Sequence, residues 1–187
     1  MSTPLFVRIR PATASDVPLI LALFRRAAAF QGEPPDVVTA TEERLAATMF
    51  GPAPLASALL AESPEDAGVV LGLACYYFTF STYTARPTLY LEDLFVEEAA
   101  RGRGVGTALM ARLAHIALGR DCRAMEWLTP AAEDNAALPF YRGRIGAEAV
   151  ETTDGGKLYR MRLPEDGLRR LAALAAGQGR RYNDSLV

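Results

Sequence analysis

Hydrophobic positions recur along the chain at two spacings, one typical of helices and the other typical of half-buried strands. After a short strand at residues 6–10, apolar residues follow a helical spacing. This first helical stripe comprises Val17, Ile20, Leu21, Phe24 and Ala28. Thr39 and Glu42 have the spacing of a capping box, which predicts a second, short helix that ends before Gly51.

The rest of the pattern predicts six further strands and three further helices. The strands lie at residues 55–62, 69–80, 88–97, 124–130, 148–154 and 157–163, and the helices at 105–118, 133–146 and about 165–176. Asp154, Gly155 and Gly156 join the last two strands, which is a hairpin signal. The predicted order is βααβββαβαββ plus a C-terminal helix. We interpret it as one α/β domain over residues 1–164, followed by a helix and flexible tail over residues 165–187.

The composition is that of an ordinary globular protein. The chain has 187 residues, 50% of them hydrophobic, and a net charge of −2, so it lacks the excess positive charge that attracts nucleic acid or an acidic membrane. No apolar run is long enough to span a bilayer, and the first ten residues lack the pattern of a signal peptide. Cys75 and Cys122 have no disulfide or metal-site spacing. We expect a cytoplasmic protein with no metal, no nucleic-acid partner and no membrane contact.

A glycine-rich loop stands where a strand gives way to a helix. Residues 101–106 read R-G-R-G-V-G. A helix N-terminus carries unpaired N–H groups and partial positive charge, glycines allow close backbone approach, and arginines add charge, so the loop suits a diphosphate. A P-loop needs a following lysine, and a dinucleotide fingerprint needs G-x-G-x-x-G, so neither motif fits. On these six residues alone, a ligand-free turn stays an open alternative.

Five segments resemble the diamine and thialysine acetyltransferase branch of the GNAT family of N-acetyltransferases. They are VRIRPATASDV, YYFTFSTY, LYLEDLFV, RGRGVG and FYRGRIGAE, and the resemblance extends over roughly residues 6–163. It implies a GNAT-like α/β fold with a mixed, splayed central β-sheet and helices on both faces. It also implies acetyl-CoA as co-substrate, no metal, a small-molecule amine as the other substrate, and a homodimer.

The resemblance also implies which residues hold the coenzyme. The backbone after the acidic pair in the LYLEDLFV strand would bind the pantetheine, and an N–H near Leu94 would polarise the thioester carbonyl. The amides from Gly102 to Thr107 would hold the pyrophosphate. The implied coenzyme-binding residues are Leu94, Phe95, Val96, Arg101, Gly102, Arg103, Gly104, Val105, Gly106, Thr107, Asp134 and Asn135.

Tyr141 and Glu92 are the candidate catalytic residues. Tyr141 matches the tyrosine that the family uses as general acid toward the coenzyme A sulfur, and its phenol is a protonated donor at pH 7. Glu92 matches the family's candidate base, which is needed because an alkylamine is mostly charged at neutral pH. The alternatives are a tyrosine that covers the core and two carboxylates, Glu92 and Asp93, that end a strand. We expect His115 to be solvated and Trp127 to lie in the core.

The segment before Tyr141 departs from the family pattern. Asp134 stands where relatives have asparagine, and Asn135 follows one residue later, so either residue is a candidate for the coenzyme contact. Pro139 lies inside the predicted helix, where it removes an N–H donor. We therefore predict a late helix start or a kink there, and either could shift Tyr141.

The candidate residues for the acceptor amine are acidic or aromatic. Ser81, Thr82 and Tyr83 stand where polyamine-acetylating relatives place an acid and a tryptophan. Glu33 and Asp36 could hold a cationic substrate or be solvated loop acids. The candidate substrate-binding residues are Glu33, Tyr83, Glu92 and Asp93. We hypothesise an N-acetyltransferase for a small primary amine (thialysine-, diamine- or polyamine-like). The alternatives are a protein or peptide N-acetyltransferase and a catalytically weak acyl-CoA-binding protein.

Overall fold

The computed structural model describes residues 7–66 and 68–177, which contain seven strands and five helices. The strands are β1 Arg8–Pro11, β2 Ser57–Glu62, β3 Val70–Ser81, β4 Arg86–Val96, β5 Ala124–Pro130, β6 Glu148–Thr153 and β7 Leu158–Pro164. The helices are α1 Val17–Phe30, α2 Glu42–Phe50, α3 Val105–Gly119, α4 Ala137–Pro139 and α5 Glu165–Gly177. The predicted order βααβββαβαββ plus a C-terminal helix is confirmed. Phe6 and the predicted tail after Gly177 lie outside the described residues.

The strands hydrogen-bond in the order β1-β2-β3-β4-β5-β7-β6. β1 is antiparallel to β2, and β7 lies between β5 and β6, antiparallel to both. β4 and β5 are parallel, with Leu89 opposite Met125 and Tyr90 opposite Glu126. Parallel neighbours need a crossover connection, and α3 supplies it here. The sheet is therefore open and mixed, which confirms the predicted class of sheet.

The described residues fall into two compact units. Residues 7–66, 68–75 and 93–106 belong to the first, and residues 76–92 and 107–177 belong to the second. In the first unit, α1, α2, β2 and β3 share one hydrophobic cluster, with core side chains Val17, Ile20, Leu21, Leu23, Ala27, Leu45, Met49, Leu60, Leu73 and Cys75. The predicted stripe of α1 is confirmed at its first three positions, whereas Phe24 and Ala28 are only partly buried.

The second unit has its own core. α5 packs on β5 and β7, and α3 is buried on most of its sides. The buried side chains include Leu109, Leu113, Met125, Trp127, Met161, Leu163, Leu168 and Leu171. Trp127 is 2% exposed, which confirms the prediction that it lies in the core. Cys122 is also buried, and burial raises the pKa of its thiol, so it is an unreactive core residue.

Side chains fix the start of the first two helices. Asp16 accepts hydrogen bonds from the Thr13 backbone N–H at 2.7 Å and from Arg10 at 2.7 and 2.8 Å. The capping box predicted from Thr39 and Glu42 is wrong, because α2 begins at Glu42 itself. Thr41 is the N-cap, and its Oγ1 accepts from the Arg44 backbone N–H at 3.2 Å.

The turn between β6 and β7 is the predicted hairpin. Asp154, Gly155 and Gly156 all have positive φ angles, of 50°, 63° and 90°. Glycine reaches this left-handed region without the steric cost of a Cβ, and Asp tolerates it better than most residues. The local turn sequence therefore determined this connection.

Candidate active site

The glycine-rich loop joins the end of β4 to the start of α3 and belongs to the first unit. Gly102 and Gly104 have φ angles of +70° and +94°, in the region that favours glycine. Among the described residues, its two chain neighbours aside, no heavy atom lies within 4 Å of the place that a Cβ on Gly104 would occupy. The side chains of Val105 and Thr107 are buried, so these residues could reach a ligand only through their backbone amides. The loop therefore fits an anionic group held by N–H donors.

The two arginines of this loop have different surroundings. The Arg101 Nε donates to the Val96 carbonyl at 3.0 Å, and its guanidinium lies 3.8 Å from the centre of the Phe30 ring. Arg103 instead lines a cleft of about 170 Å³ whose other lining residues include Glu65, Asp66 and Glu97. Arg101 thus anchors the loop. The predicted coenzyme contacts of the two arginines stay predictions.

The last residues of β4 alternate as a strand should. Phe95 is 6% exposed and packs into the core of the first unit, whereas Leu94 and Val96 are half-buried. The Phe95 side chain is therefore committed to packing, and only its backbone is available to a ligand. This arrangement is compatible with the implied role of these three residues, which uses their main-chain groups.

Glu92 and Tyr90 lie two residues apart on β4, so they share one face of the strand. Glu92 is exposed and Tyr90 is half-buried. The Tyr90 ring lies 5.0 Å from the Tyr77 ring, centroid to centroid. Burial raises the pKa of the Tyr90 phenol, and the nearby Tyr77 and Glu92 raise that pKa further. A solvent-accessible carboxylate beside two tyrosines could accept a proton or hold a cation.

Tyr141 lies in a π-helical segment, Phe140–Ile145, that continues α4. The segment ends at Gly146, whose φ is +75°, and the Ala147 N–H donates to the Tyr141 carbonyl at 2.9 Å. The Tyr141 side chain is 8% exposed. Its ring centroid lies 5.0 Å from that of Trp127 and 5.3 Å from that of Phe140. Isolated π-helical turns are frequent at functional sites.

The predicted late helix start before Tyr141 is confirmed. α4 begins at Ala137, which places Pro139 in the first helical turn. Proline is tolerated there because the first N–H groups of a helix have no intrahelical partner. Sequence reasoning found the late start but not the π-helical turn that follows it.

Asn135 ties this segment to the end of β5. Its Nδ2 donates to the Thr129 Oγ1 at 2.9 Å and to the Pro130 carbonyl at 2.6 Å, and its Oδ1 accepts from the Ala137 N–H at 3.0 Å. Asp134, in contrast, is exposed. Asn135 thus precedes Ala136, the N-cap of α4, and its side chain accepts a hydrogen bond from the first residue of the helix. A coenzyme contact of either residue stays a prediction.

The other candidate residues are spread over both units. In the first unit, Glu33 lines a cleft of about 270 Å³ together with Arg25, Pro34 and Val38, among other residues. In the second unit, Tyr83 is 98% exposed in the loop between β3 and β4. Their substrate contacts stay predictions, as does that of the half-buried Asp93 in the first unit. His115 is exposed, which confirms the expectation of a solvated histidine.

Two general features of the described part of the chain bear on its chemistry. Within residues 7–66 and 68–177, no group of three or more His, Cys, Asp or Glu side chains is arranged to hold a metal ion. None of the helices described above is long and apolar enough to cross a membrane.

Comparisons with known proteins identify the family. The model of the Acetyltransferase (GNAT) family matches residues 25–146. The chain is 32% identical to the thialysine N-epsilon-acetyltransferase of Bos taurus, over 83% of this chain and 92% of that protein. It is 33% identical, over 86% of its length, to spermidine/spermine N(1)-acetyltransferase-like protein 1 of Homo sapiens, but it spans only 23% of that protein.

A solved structure shows a similar fold. A chain in the crystal structure of the NatC complex bound to Gag peptide and CoA superposes with a TM-score of 0.65. The two chains are 17% identical, and the match covers 86% of this chain and 99% of the other. At this identity the likeness concerns the fold alone. Taken with the family match and the thialysine acetyltransferase, it leads to one conclusion: the chain belongs to the GNAT family and is an N-acetyltransferase.

Proposed function

We propose that this enzyme transfers the acetyl group of acetyl-CoA directly to a small primary amine of the thialysine, diamine or polyamine type. The observation that carries the proposal is the 32% identity to the bovine thialysine N-epsilon-acetyltransferase over 92% of that protein. A match over almost the whole length of a small-amine acetyltransferase supports a common acceptor class more strongly than a likeness of fold does.

The glycine-rich loop is the part of the chain that would hold the coenzyme. When bound, acetyl-CoA supplies the activated acyl group. The positive φ angles of Gly102 and Gly104, and the open space beside Gly104, suit a diphosphate held by the amides from Gly102 to Thr107. Arg103 would add positive charge, while Arg101 keeps the loop in shape. The main chain of residues 94–96 would hold the pantetheine.

The side chains of Glu92 and Tyr141 would transfer the protons of the reaction. Glu92, which is exposed, would take a proton from the ammonium form of the acceptor, directly or through water. The Tyr141 Oη–H would donate a proton to the departing sulfur. The Leu94 N–H would stabilise the negative charge that develops on the carbonyl oxygen.

The acceptor would be held as a cation before it reacts. Glu33 and Asp93 are carboxylates that could pair with an ammonium group, and Tyr83 offers an aromatic face to one.

Two further parts of the proposal are a homodimer and a cytoplasmic location. The resemblance to this branch supports the homodimer, and the two cysteines, which have no disulfide spacing, support the location. Sedimentation or light scattering of the purified chain tests the first, and fractionation of the source cells tests the second.

Release of the coenzyme A thiol from acetyl-CoA tests the proposed function. The acceptor panel contains lysine, thialysine, spermidine, putrescine, a short diamine and short peptides. We expect saturable thiol release with one of the cationic small amines. We also expect Tyr141→Phe to lose turnover while it keeps its affinity for acetyl-CoA. Tyr159→Phe is the matched control, because Tyr159 is a half-buried tyrosine of β7 with no proposed role.

The other outcomes of this assay separate the alternatives. Reaction with peptides alone would replace the small-amine proposal with a peptide N-acetyltransferase. Tight binding of acetyl-CoA without any turnover would favour an acyl-CoA-binding protein. Absence of binding would overturn the interpretation of the glycine-rich loop.

A further inference from the structure

The buried position of Trp127 has an unusual feature. Trp127 is the one tryptophan in the sequence, and its side chain is almost fully enclosed. Its indole Nε1 is buried without a hydrogen-bond partner among the described residues. An unpaired buried N–H has a desolvation cost that a phenylalanine would not carry, although the smaller ring would leave part of the space empty. Packing in the core accounts for the size of the indole ring but not for its unpaired N–H.

The contact between Trp127 and Tyr141 suggests another reason for a tryptophan at position 127. The Trp127 and Tyr141 rings lie 5.0 Å apart, centroid to centroid, at an interplanar angle of 54°. Trp127 stands in the middle of β5, directly opposite Met161 of β7, so its backbone is held by the sheet. Aromatic pairs at this distance have preferred mutual orientations, so a fixed indole ring restricts the direction of the phenol ring.

The segment that carries Tyr141 depends on such external contacts. It contains a single helical turn with a proline and then a π-helical turn, so it lacks the long run of regular hydrogen bonds that orients side chains on an α-helix. β5 holds this segment at two points. Asn135 bonds to Thr129 and Pro130 at the end of the strand, and Trp127 contacts the Tyr141 ring.

We propose that Trp127 is a positioning residue for Tyr141. The indole ring sets the direction of the phenol, so that the Tyr141 Oη–H points to the place where the leaving sulfur will be. This inference rests on the proposed role of Tyr141 as the proton donor. Trp127 itself touches neither substrate nor coenzyme in this proposal, and it acts through the tyrosine alone.

A double-mutant cycle tests the inference. Trp127→Phe should lower kcat by roughly tenfold to a hundredfold, because small misplacements of a reacting group have effects of that size. The KM for acetyl-CoA should stay within about twofold. The melting temperature should fall modestly, because the smaller ring leaves a cavity in the core. In the Tyr141→Phe background, Trp127→Phe should cause no further loss of kcat. Met125→Leu, a volume-conserving change two residues earlier in β5, should keep normal kinetics.

The outcomes distinguish this inference from the proposed function. Full kcat in Tyr141→Phe would refute the role of Tyr141 and this inference together. If Tyr141→Phe loses kcat while Trp127→Phe keeps full kcat, the inference alone is overturned. It is also overturned if the loss of kcat in the double variant equals the product of the losses in the two single variants.

A second measurement applies if Trp127→Phe does not fold. The protein labelled with 5-fluorotryptophan gives a single fluorine resonance, from position 127. Tyr141→Leu, which removes the aromatic ring, should shift that resonance, and an unchanged shift would overturn the contact on which the inference depends.

Discussion

The guanidinium of Arg101 lies 3.8 Å from the centre of the Phe30 ring, and its Nε donates to the Val96 carbonyl at 3.0 Å. One side chain thus connects the glycine-rich loop to the last residue of β4 and to the last residue of α1. Glycines give a loop many accessible conformations, so the loop needs such a fixed point to keep one shape. Within the first unit, Arg101 is that point.

The first prediction separates the two arginines of the loop. Arg101→Met should lower the free energy of unfolding by about 1–2 kcal/mol, because it removes a cation–π contact and a charged hydrogen bond. Arg103→Met should leave that free energy within about 0.5 kcal/mol, as expected for a surface change. Arg103→Met should instead weaken acetyl-CoA binding. Urea unfolding and calorimetric titration measure the two effects, and equal stability of the two variants would contradict the anchoring role of Arg101.

The second prediction concerns Gly104. Within the part of the chain that the structure describes, a Cβ at this position meets no heavy atom within 4 Å except in its chain neighbours. Gly104→Ala therefore adds no clash there, but it forces alanine to a φ of +94°. The strain should lower the free energy of unfolding by about 1–2 kcal/mol and weaken acetyl-CoA binding. Gly143→Ala is the matched control, since Gly143 also faces open space and does not have a positive φ. An equally stable and equally tight-binding Gly104→Ala variant would show that the loop tolerates another conformation.

The third prediction distinguishes Asn135 from Asp134. Asn135→Ala removes three hydrogen bonds that hold the segment before Tyr141, so it should lower the free energy of unfolding by about 2 kcal/mol and also lower kcat. Asp134→Ala should change stability by less than about 0.5 kcal/mol, because Asp134 is exposed. Thermal unfolding and steady-state kinetics provide the comparison. A larger effect of Asp134→Ala on either quantity would refute the structural role of Asn135.

The fourth prediction is a dependence of stability on pH. The hydrogen bonds from Arg10, and then that from the Thr13 backbone, hold the pKa of Asp16 at about 2, below its ordinary value of 3.8. A lowered pKa in the folded state stabilises the protein above the ordinary value and ceases to do so as the pH falls through the folded pKa. The contribution of Asp16 should therefore disappear between about pH 4 and pH 2.

Two variants check this dependence. Asp16→Asn should lower the free energy of unfolding by about 1–2 kcal/mol at pH 7, and its difference from the wild type should shrink as the pH falls through that window. Asp36→Asn, in an exposed loop, serves as the control. Urea unfolding at several pH values gives the data. A difference that is constant with pH would mean that the Arg10–Asp16 pair does not contribute in this way.

The elements of the fold could be predicted because their signals are local. The stripe that begins at Val17 and Ile20 shows one face of α1, the capping signals precede the helices, and Asp154-Gly155-Gly156 marks a hairpin. Where the prediction was wrong, two similar local signals competed. Thr39 and Thr41 both precede α2, and only the start of the helix at Glu42 selects Thr41 as its cap.

The candidate site could be predicted in part. The motif at residues 101–106 and the F-Y pair at residues 140–141 indicated the candidate site residues, because glycine, arginine and tyrosine each have chemistry that a ligand site needs. The surroundings of these residues could not be predicted. The stacking of Arg101 on Phe30, the clamp of Asn135 on Thr129 and the contact of Trp127 with Tyr141 have no signature in the nearby sequence.

The sequence by itself determined the order of the elements, the first three positions of the buried stripe of α1 and the glycine-rich loop, since each depends on residues a few positions apart. Only the tertiary structure decided that β7 lies between β5 and β6, that Arg101 anchors the loop and that Trp127 borders Tyr141. These contacts join distant parts of the chain. They form where packing of the whole core outweighs the entropy of closing the intervening segments, and no short stretch of residues encodes that balance.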